Sequence, residues 1–500
     1  MFHKTICAIA SVATLLAMPV AIARAQPPIA CRAPAPEGEY CVGSAKREIT
    51  PPSPVYLGGY GFGPVRRSTG VASPIYARAI AISRGAQTVV FGAIETQGHF
   101  LAYQEGGGPT GEYGFADIRR RVSNDLGVPE RNLIIASTHD HAGPDDIGVW
   151  GGVPPAYLKL VAGQAVAAIE SAIQGERLAH LHAAEIDTSS LHLLRNLLPP
   201  RYGMDYKLRV LLATDPSGAS LATLINFSAH ATTLGGDNTL ISPDWPGAAA
   251  RAVETASPGS TALVMVASVG RTQPELGGIA ARGLPRADEY GRKVAELAVA
   301  AEASATKVDG PVAAAETTLN VAVENPVLGG LMMRGSGGVD RVMRSNGPPY
   351  FAQGVIRTVV GAARIGNLFF AAVPGESFPE TEALLEQRVA ADGHYLFSLA
   401  EDQLGYDPPP YEVGMVEFLS PLDEGLFIVN SRFGADVTRT LLSEAVSLGF
   451  QVSDTSYSGD DAPANQPFSD RVKAKIGAIE EPIVRRLILI ALWLGYNRFH

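Results

Sequence analysis

Four apolar runs in this 500-residue chain end on, or lead into, a side chain that can bind a metal. NLIIAST runs into His139, LATLINFSA into His230, NLFFAAVPG into Glu376, and HYLFSLAEDQLG into Tyr406. His141 follows His139 at a spacing of two, within STHDHAGP. Residues two apart on extended backbone face the same side, so both imidazoles can reach one small volume. Two imidazole nitrogens and a carboxylate form a common zinc shell with a position left for water or substrate. That donor set favours zinc over metals that prefer softer ligands. Only one of the paired histidines needs to bind, which leaves the other free for proton transfer near neutral pH. Singly, each residue has an ordinary structural explanation: a hydrogen-bonded strand-end histidine, an acid at a helix N-terminus, a packed tyrosine. Together they point to one site, because ligands in open α/β sheets gather at the carboxyl ends of strands.

The elements that must position these side chains alternate along the chain. Strand-like runs are IYARAIAIS, QTVVFGAIE, NLIIAST, LRVLLAT, ATLINFSAH, TALVMVAS, NLFFAAV and HYLFSLA. Between them lie helical stretches such as FADIRRRVSNDLG, YLKLVAGQAVAAIESAIQG, ADEYGRKVAELAVAAEASA, ETEALLEQRVAADG and TRTLLSEAVSLG, several closed by glycine. The alternation predicts an α/β fold with the site along one edge of a sheet. The Gly-rich stretches 104–114 and 328–338 lack the Lys-Ser/Thr ending of a phosphate loop and the spacing of a dinucleotide fingerprint. They are expected as surface loops, with a site wall as a further role.

Composition narrows the function classes. The chain is 46% hydrophobic and 18% charged, so it is globular with a large core. A net charge of -10 argues against a nucleic-acid partner, which needs clustered Lys and Arg. Lys4, an apolar run from Ile6 to about Ile22 and the small-x-small site Ala23-Arg24-Ala25 read as a signal peptide over residues 1–25. A secreted or periplasmic location follows, where Cys31 and Cys41 could close a small disulfide loop. No Pro/Ser-rich linker divides residues 42–455, so residues 26–455 are expected to be a single catalytic domain. Residues 456–500 read as a polar linker and a short apolar helix. Its run Leu487 to Leu494 is about half a bilayer span, which favours packing over weak membrane-surface or subunit contact.

STHDHAGP resembles the Thr-His-Thr-His-Ser-Gly-Pro signature of the neutral/alkaline ceramidases, secreted or surface zinc amidases that split N-acylsphingosine into fatty acid and sphingosine. The resemblance continues in order through residues 59–82, 225–247, VPGESF (373–378), LAEDQLGYDPPPYE (399–412) and EGLFIVNSRFG (424–434). It implies a layered α/β catalytic domain holding one Zn2+ per chain on His139, His230, Glu376 and Tyr406. His141 would be the proton shuttle, and Arg195, in LLRNLLPP, would polarise the carbonyl of a lipid-like N-acyl amide. Asp244, in SPDW, is either a residue that holds a ligand histidine or a helix cap.

The sequence departs from the family's pattern in three places. The catalytic serine that precedes a proline is replaced by Gln273 before Pro274 in SVGRTQPEL, and Ser268 five residues upstream reads as a strand end. Gln273 is then expected to orient the water or the amide, because a metal can supply the nucleophile without a seryl hydroxyl. GVASP stands where the family has Gly-Ile-His-Thr-Arg, removing two polar side chains from a pocket wall. The 45 residues after 455 are too few for the roughly 100 of an immunoglobulin-like sandwich, so no such C-terminal domain is expected. The substrate could therefore be ceramide, another N-acyl amide or an ester, and loss of the serine leaves an inactive metal-binding homologue as a further reading.

Overall fold

The structure is a computed structural model describing residues 38–459, apart from 62, 106–107, 110, 198–202, 280–281, 326–338, 342–354 and 420–423. Residues 1–25, expected as a signal peptide, Cys31, the Gly-rich stretch 328–338 and the terminal run Leu487 to Leu494 lie outside these residues. Cys41 is disulfide-bonded.

Eight strands build most of one mixed sheet: β1 (Tyr40–Glu48), β2 (Tyr76–Arg84), β3 (Gln87–Ile94), β4 (Leu133–Ser137), β5 (Arg177–Asp187), β6 (Lys207–Thr214), β7 (Ser220–Phe227) and β8 (Thr261–Val266). Their order is β8-β7-β6-β5-β1-β2-β3-β4, and the short strand Thr306–Val308 also pairs with β5. The middle of the sheet is antiparallel, while β3–β4 and β7–β8 at its two ends are parallel. Parallel neighbours need a crossover, and helices supply it: α1 (Phe115–Leu126) between β3 and β4, and α3 (Asp244–Ala256) between β7 and β8. A second sheet orders β9 (Val312–Ala322), β10 (Val355–Ile365), β11 (Leu368–Ala372) and β12 (Gly393–Phe397), with β11 and β12 parallel across the helix Pro379–Arg388.

The long sheet coils back on itself. Ser44 of β1 donates to the Leu221 carbonyl of β7 at 3.0 Å, and Arg78 of β2 donates to the Ala262 carbonyl of β8 at 3.1 Å. The stretch after β12 closes the seam, since Ser398 N donates to Val266 O, Ser137 N to Leu399 O, and Glu401 N to Ile135 O. Inside the coil, Phe91, Ile134, Leu211, Leu224 and Met265 pack against Phe370, Tyr395 and Phe397 of the second sheet. Buried Asn226 ties the layers, donating to Met265 O and Leu396 O. A long apolar helix, α2 (Pro155–Gln174), lies against β1 and β2 with Leu158, Val161, Ala165 and Ile169 buried.

The mixed α/β architecture agrees with the alternation of elements. Two expectations change. Part of the stretch 104–114 is not loop: Tyr103–Glu105 and Gly108–Pro109 form a three-stranded sheet with Val339–Arg341. The candidate ligands do not line one edge of one sheet. His139 and His230 follow β4 and β7, near opposite ends of the coiled sheet, while Glu376 and Tyr406 follow β11 and β12 of the second.

Candidate metal centre and cavity

Coiling brings His139 and His230 together, with 2.9 Å between their Nε2 atoms. The Nδ1 of His139 faces Gln97 O at 2.8 Å, and the Nδ1 of His230 faces Val269 O at 2.9 Å. A carbonyl oxygen only accepts, so each Nδ1 carries the hydrogen and each Nε2 presents a lone pair inward. Glu376 Oε2 lies 3.2 Å from His139 Nε2 and 3.3 Å from His230 Nε2, and it has no hydrogen-bond partner among the described residues. Three buried acceptor atoms converging without a donor repel one another unless a cation sits among them. The donor set fits a divalent metal bound by nitrogen and oxygen.

His139 does not sit on extended backbone. Its φ is 63°, in the left-handed region that non-glycine residues seldom enter. This kink, rather than strand alternation, turns the two histidines toward each other, with His141 Nε2 3.3 Å from His139 Nε2. His139, His141 and His230 each offer a nitrogen, all within 4.8 Å of one another, so the trio could hold a metal. His141 differs from the others because its Nδ1 has no partner among the described residues. Burial and the neighbouring imidazoles of His139 and His230 hold its pKa well below the usual histidine value. Its ring packs edge-on to Tyr60 at 4.9 Å, and its carbonyl accepts from Arg66. Gly59, with φ of 95°, lies flat against it; a Cβ there would come within 2.3 Å of the imidazole.

Glu376 and Tyr406 are paired in register on a two-residue parallel ladder, Glu376–Ser377 with Tyr406–Asp407. Gly405, with φ of 79°, is held so close that a Cβ would meet Phe427 O at 1.9 Å, while its own carbonyl accepts from Glu376 N. That close approach accounts for the Gly-Tyr pair. Arg195 and Gln273 stand directly opposite each other on the antiparallel ribbon formed by Leu194–Asn196 and Thr272–Pro274. Gln273 Oε1 accepts from Thr232 Oγ1 at 2.5 Å, and Thr272 O accepts from His230 N. Ser268 is fully buried just beyond β8. Asp244 does not hold an imidazole. At the start of α3 its carboxylate accepts from the N–H groups of Thr233, Leu234 and Trp245 and from the Thr233 hydroxyl, fixing the loop after His230.

A cavity opens on this cluster. His139, His141, Glu376 and Tyr406 line it together with Gln97, Gln403 and the apolar Phe100, Ile147, Val149, Trp150 and Phe427. Sequence reasoning missed these walls. One signal was available in the acids after Gly143: buried Asp145 accepts from the N–H groups of Gly148, Trp150 and Gly152 and so shapes the loop that carries Ile147, Val149 and Trp150.

No family model and no curated protein matches the chain. Among solved structures it is similar to a neutral ceramidase from Pseudomonas aeruginosa, at 18% identity and a TM-score of 0.64, over 83% of this chain and 75% of that one. It is also similar to a ceramidase complexed with C2, at 17% identity and a TM-score of 0.66, over 86% of this chain and 79% of that one. The protein therefore has the fold of the neutral ceramidases.

Proposed function

We propose that this protein is a secreted, zinc-dependent amidase that hydrolyses N-acyl amides, with ceramide as the leading substrate and fatty acid and sphingosine as products. The observation that carries the reading is the convergence of His139 Nε2, His230 Nε2 and Glu376 Oε2 at an apolar-walled cavity. His139, His230, Glu376 and Tyr406 would hold one Zn2+, and the catalytic unit would span residues 26–455. When bound, the metal lowers the pKa of a coordinated water and polarises a carbonyl.

The remaining steps belong to the chain's own side chains. His141, whose Nδ1 is not pinned by a carbonyl, moves a proton from the attacking water to the departing amine nitrogen. Arg195 supports the oxyanion and Gln273 orients the amide or the water from the facing strand. The apolar walls exclude water and hold a hydrocarbon chain. The disulfide at Cys41 supports an oxidising compartment.

Gln273, at the place of the family's serine, favours one second reading: the same chemistry on a different N-acyl amide or an ester. Fatty-acid release is measured by mass spectrometry for residues 26–500, beside His139→Ala, on ceramide and a panel of shorter N-acyl amides and esters. Release from ceramide that vanishes in the variant supports the first reading. Release only from other substrates selects the second, and no release from any substrate overturns both.

A further inference from the structure

The three histidines of the cluster are not held alike. His139 and His230 are each pinned through Nδ1 by a backbone carbonyl, whereas the Nδ1 of His141 has no partner among the described residues. A ring without an anchoring hydrogen bond is free to change rotamer unless packing or its backbone fixes it. For His141 both come from the loop 58–66. Gly59 lies flat against the imidazole and Tyr60 stands edge-on to it, with the Tyr60 hydroxyl donating to Thr232 O at 3.3 Å. This loop is seated on the turn after His141 by Gly58 N, which donates to Gly143 O at 3.1 Å. One nitrogen of Arg66, Nη2, then donates to two carbonyls, those of Gly58 and His141, and so clamps the two loops together.

Stability does not explain an arginine at this place. Arg66 is 7% exposed, its Nε and Nη1 have no hydrogen-bond partner, and no carboxylate pairs with it among the described residues. Its guanidinium lies over the Tyr60 ring, 4.9 Å from the centroid. Burying a charge with two donors unmet is destabilising, so the side chain answers another need. We infer that Arg66 is a positioning residue that, together with Tyr60, fixes the imidazole of His141 beside the Nε2 atom of His139. This role rests on the amidase reading above and supplies what holds its proton carrier in place. Arg66 does not line the cavity; it acts through the His141 carbonyl and the Tyr60 ring. A ring nitrogen tied to a carbonyl keeps its hydrogen, so a histidine that must pass a proton on is better oriented by its backbone and its packing. The clamp gives His141 the fixed orientation that His139 and His230 take from their Nδ1 bonds.

The test compares metal-loaded wild type, Arg66→Met and Arg66→Lys on an N-acyl amide that the wild type hydrolyses, with metal content, Tm and a crystal structure of each. Methionine keeps an unbranched apolar stem without charge or donor. It is expected to lower kcat by roughly 100-fold, the scale of a small misplacement of a catalytic group, with KM within about twofold of wild type. Metal content should be unchanged and Tm close to wild type, because removing a buried unpaired charge offsets the lost bonds. The crystal structure of Arg66→Met is expected to show the His141 imidazole turned away from its wild-type position. Lysine keeps a charged donor for the two carbonyls and is expected to raise kcat at least ~5-fold over methionine. An unmoved imidazole or an undiminished kcat in Arg66→Met overturns the inference, as does a lysine no better than methionine. Lost metal, or a fall of many degrees in Tm, also overturns it by making the arginine a structural residue. Failure of wild type to hydrolyse any amide overturns the amidase reading instead, and the position of the imidazole in the two variants then decides the clamp by itself.

Discussion

The candidate metal cluster and the Arg195–Gln273 ribbon touch, joined by His230 N donating to Thr272 O, yet they are built on opposite plans. In the cluster, His139, His230 and Glu376 are nearly fully buried, and each imidazole is locked by a backbone carbonyl. In the ribbon, Arg195 is exposed and Gln273 half-buried, with Thr232 the hydroxyl that fixes its amide. Two three-residue strands are marginal alone. The ribbon is anchored from behind, where Leu193 and Leu194 pack in the core and Arg271 meets Glu412 at 2.8 and 2.7 Å. A changed ligand would strand buried polar groups, whereas a changed ribbon side chain can be accommodated by water. That difference explains how the side chain at position 273 can vary without disturbing the rest of the site.

The comparison is broken most severely at the ligands. Glu376→Gln or His139→Ala is expected to remove bound metal and lower amide hydrolysis by roughly 1000-fold or more, since the nucleophile and the oxyanion stabiliser go together; metal analysis by mass spectrometry and steady-state kinetics check this. Chelating the wild-type protein is expected to lower Tm by several degrees, because a ligand that binds only the folded state stabilises it by mass action. The same treatment of His139→Ala should shift Tm far less, and equal shifts would refute a specific site. The ribbon should respond differently. Gln273→Ala and Arg195→Ala are expected to lower kcat by roughly 100- to 1000-fold, of the order seen when one transition-state hydrogen bond is removed, with metal content and Tm close to wild type. Loss of metal in either variant would erase the distinction between the two regions.

The smallest expected effect lies away from both. Burial pushes the Glu176 carboxyl up to about 7, with the bond from the Ser83 hydroxyl opposing the shift. The folded state therefore keeps a proton that the unfolded chain releases above its usual value of 4.5. Stability from this group is full below about 4.5 and is lost as pH rises toward about 7. Glu176→Gln should flatten that part of the stability profile, measured by urea unfolding at pH 5 and pH 7.5, and should leave the ratio of cluster to ribbon effects as it was.

Much of the site was legible because its residue types interrupt apolar runs. A histidine, a glutamate or a tyrosine just past a buried strand is conspicuous, and the strands that precede His139, His230 and Glu376 lie where the alternation predicts. The walls were not legible. Ile147, Val149 and Trp150 look like any core residues until Asp145 folds their loop over the cavity, and Gln97 and Gln403 carry no periodic signal. Nor could spacing alone reveal that Arg195 and Gln273 face each other, since 78 positions separate them and only strand register joins them.

Residue chemistry and local pattern by themselves determined the α/β class, the donor types and the strand ends that bear them, because hydrophobic periodicity and side-chain chemistry are local properties. Tertiary structure alone decided that those ends meet. β4 and β7 stand near opposite ends of the same sheet, and only its coiling, sealed by the segment after β12, carries His139 to His230. Twist accumulated over nine strands and the packing of a second sheet are properties of the whole molecule. The left-handed turn at His139 is likewise held by what surrounds it, since an isolated chain would relax to ordinary backbone angles.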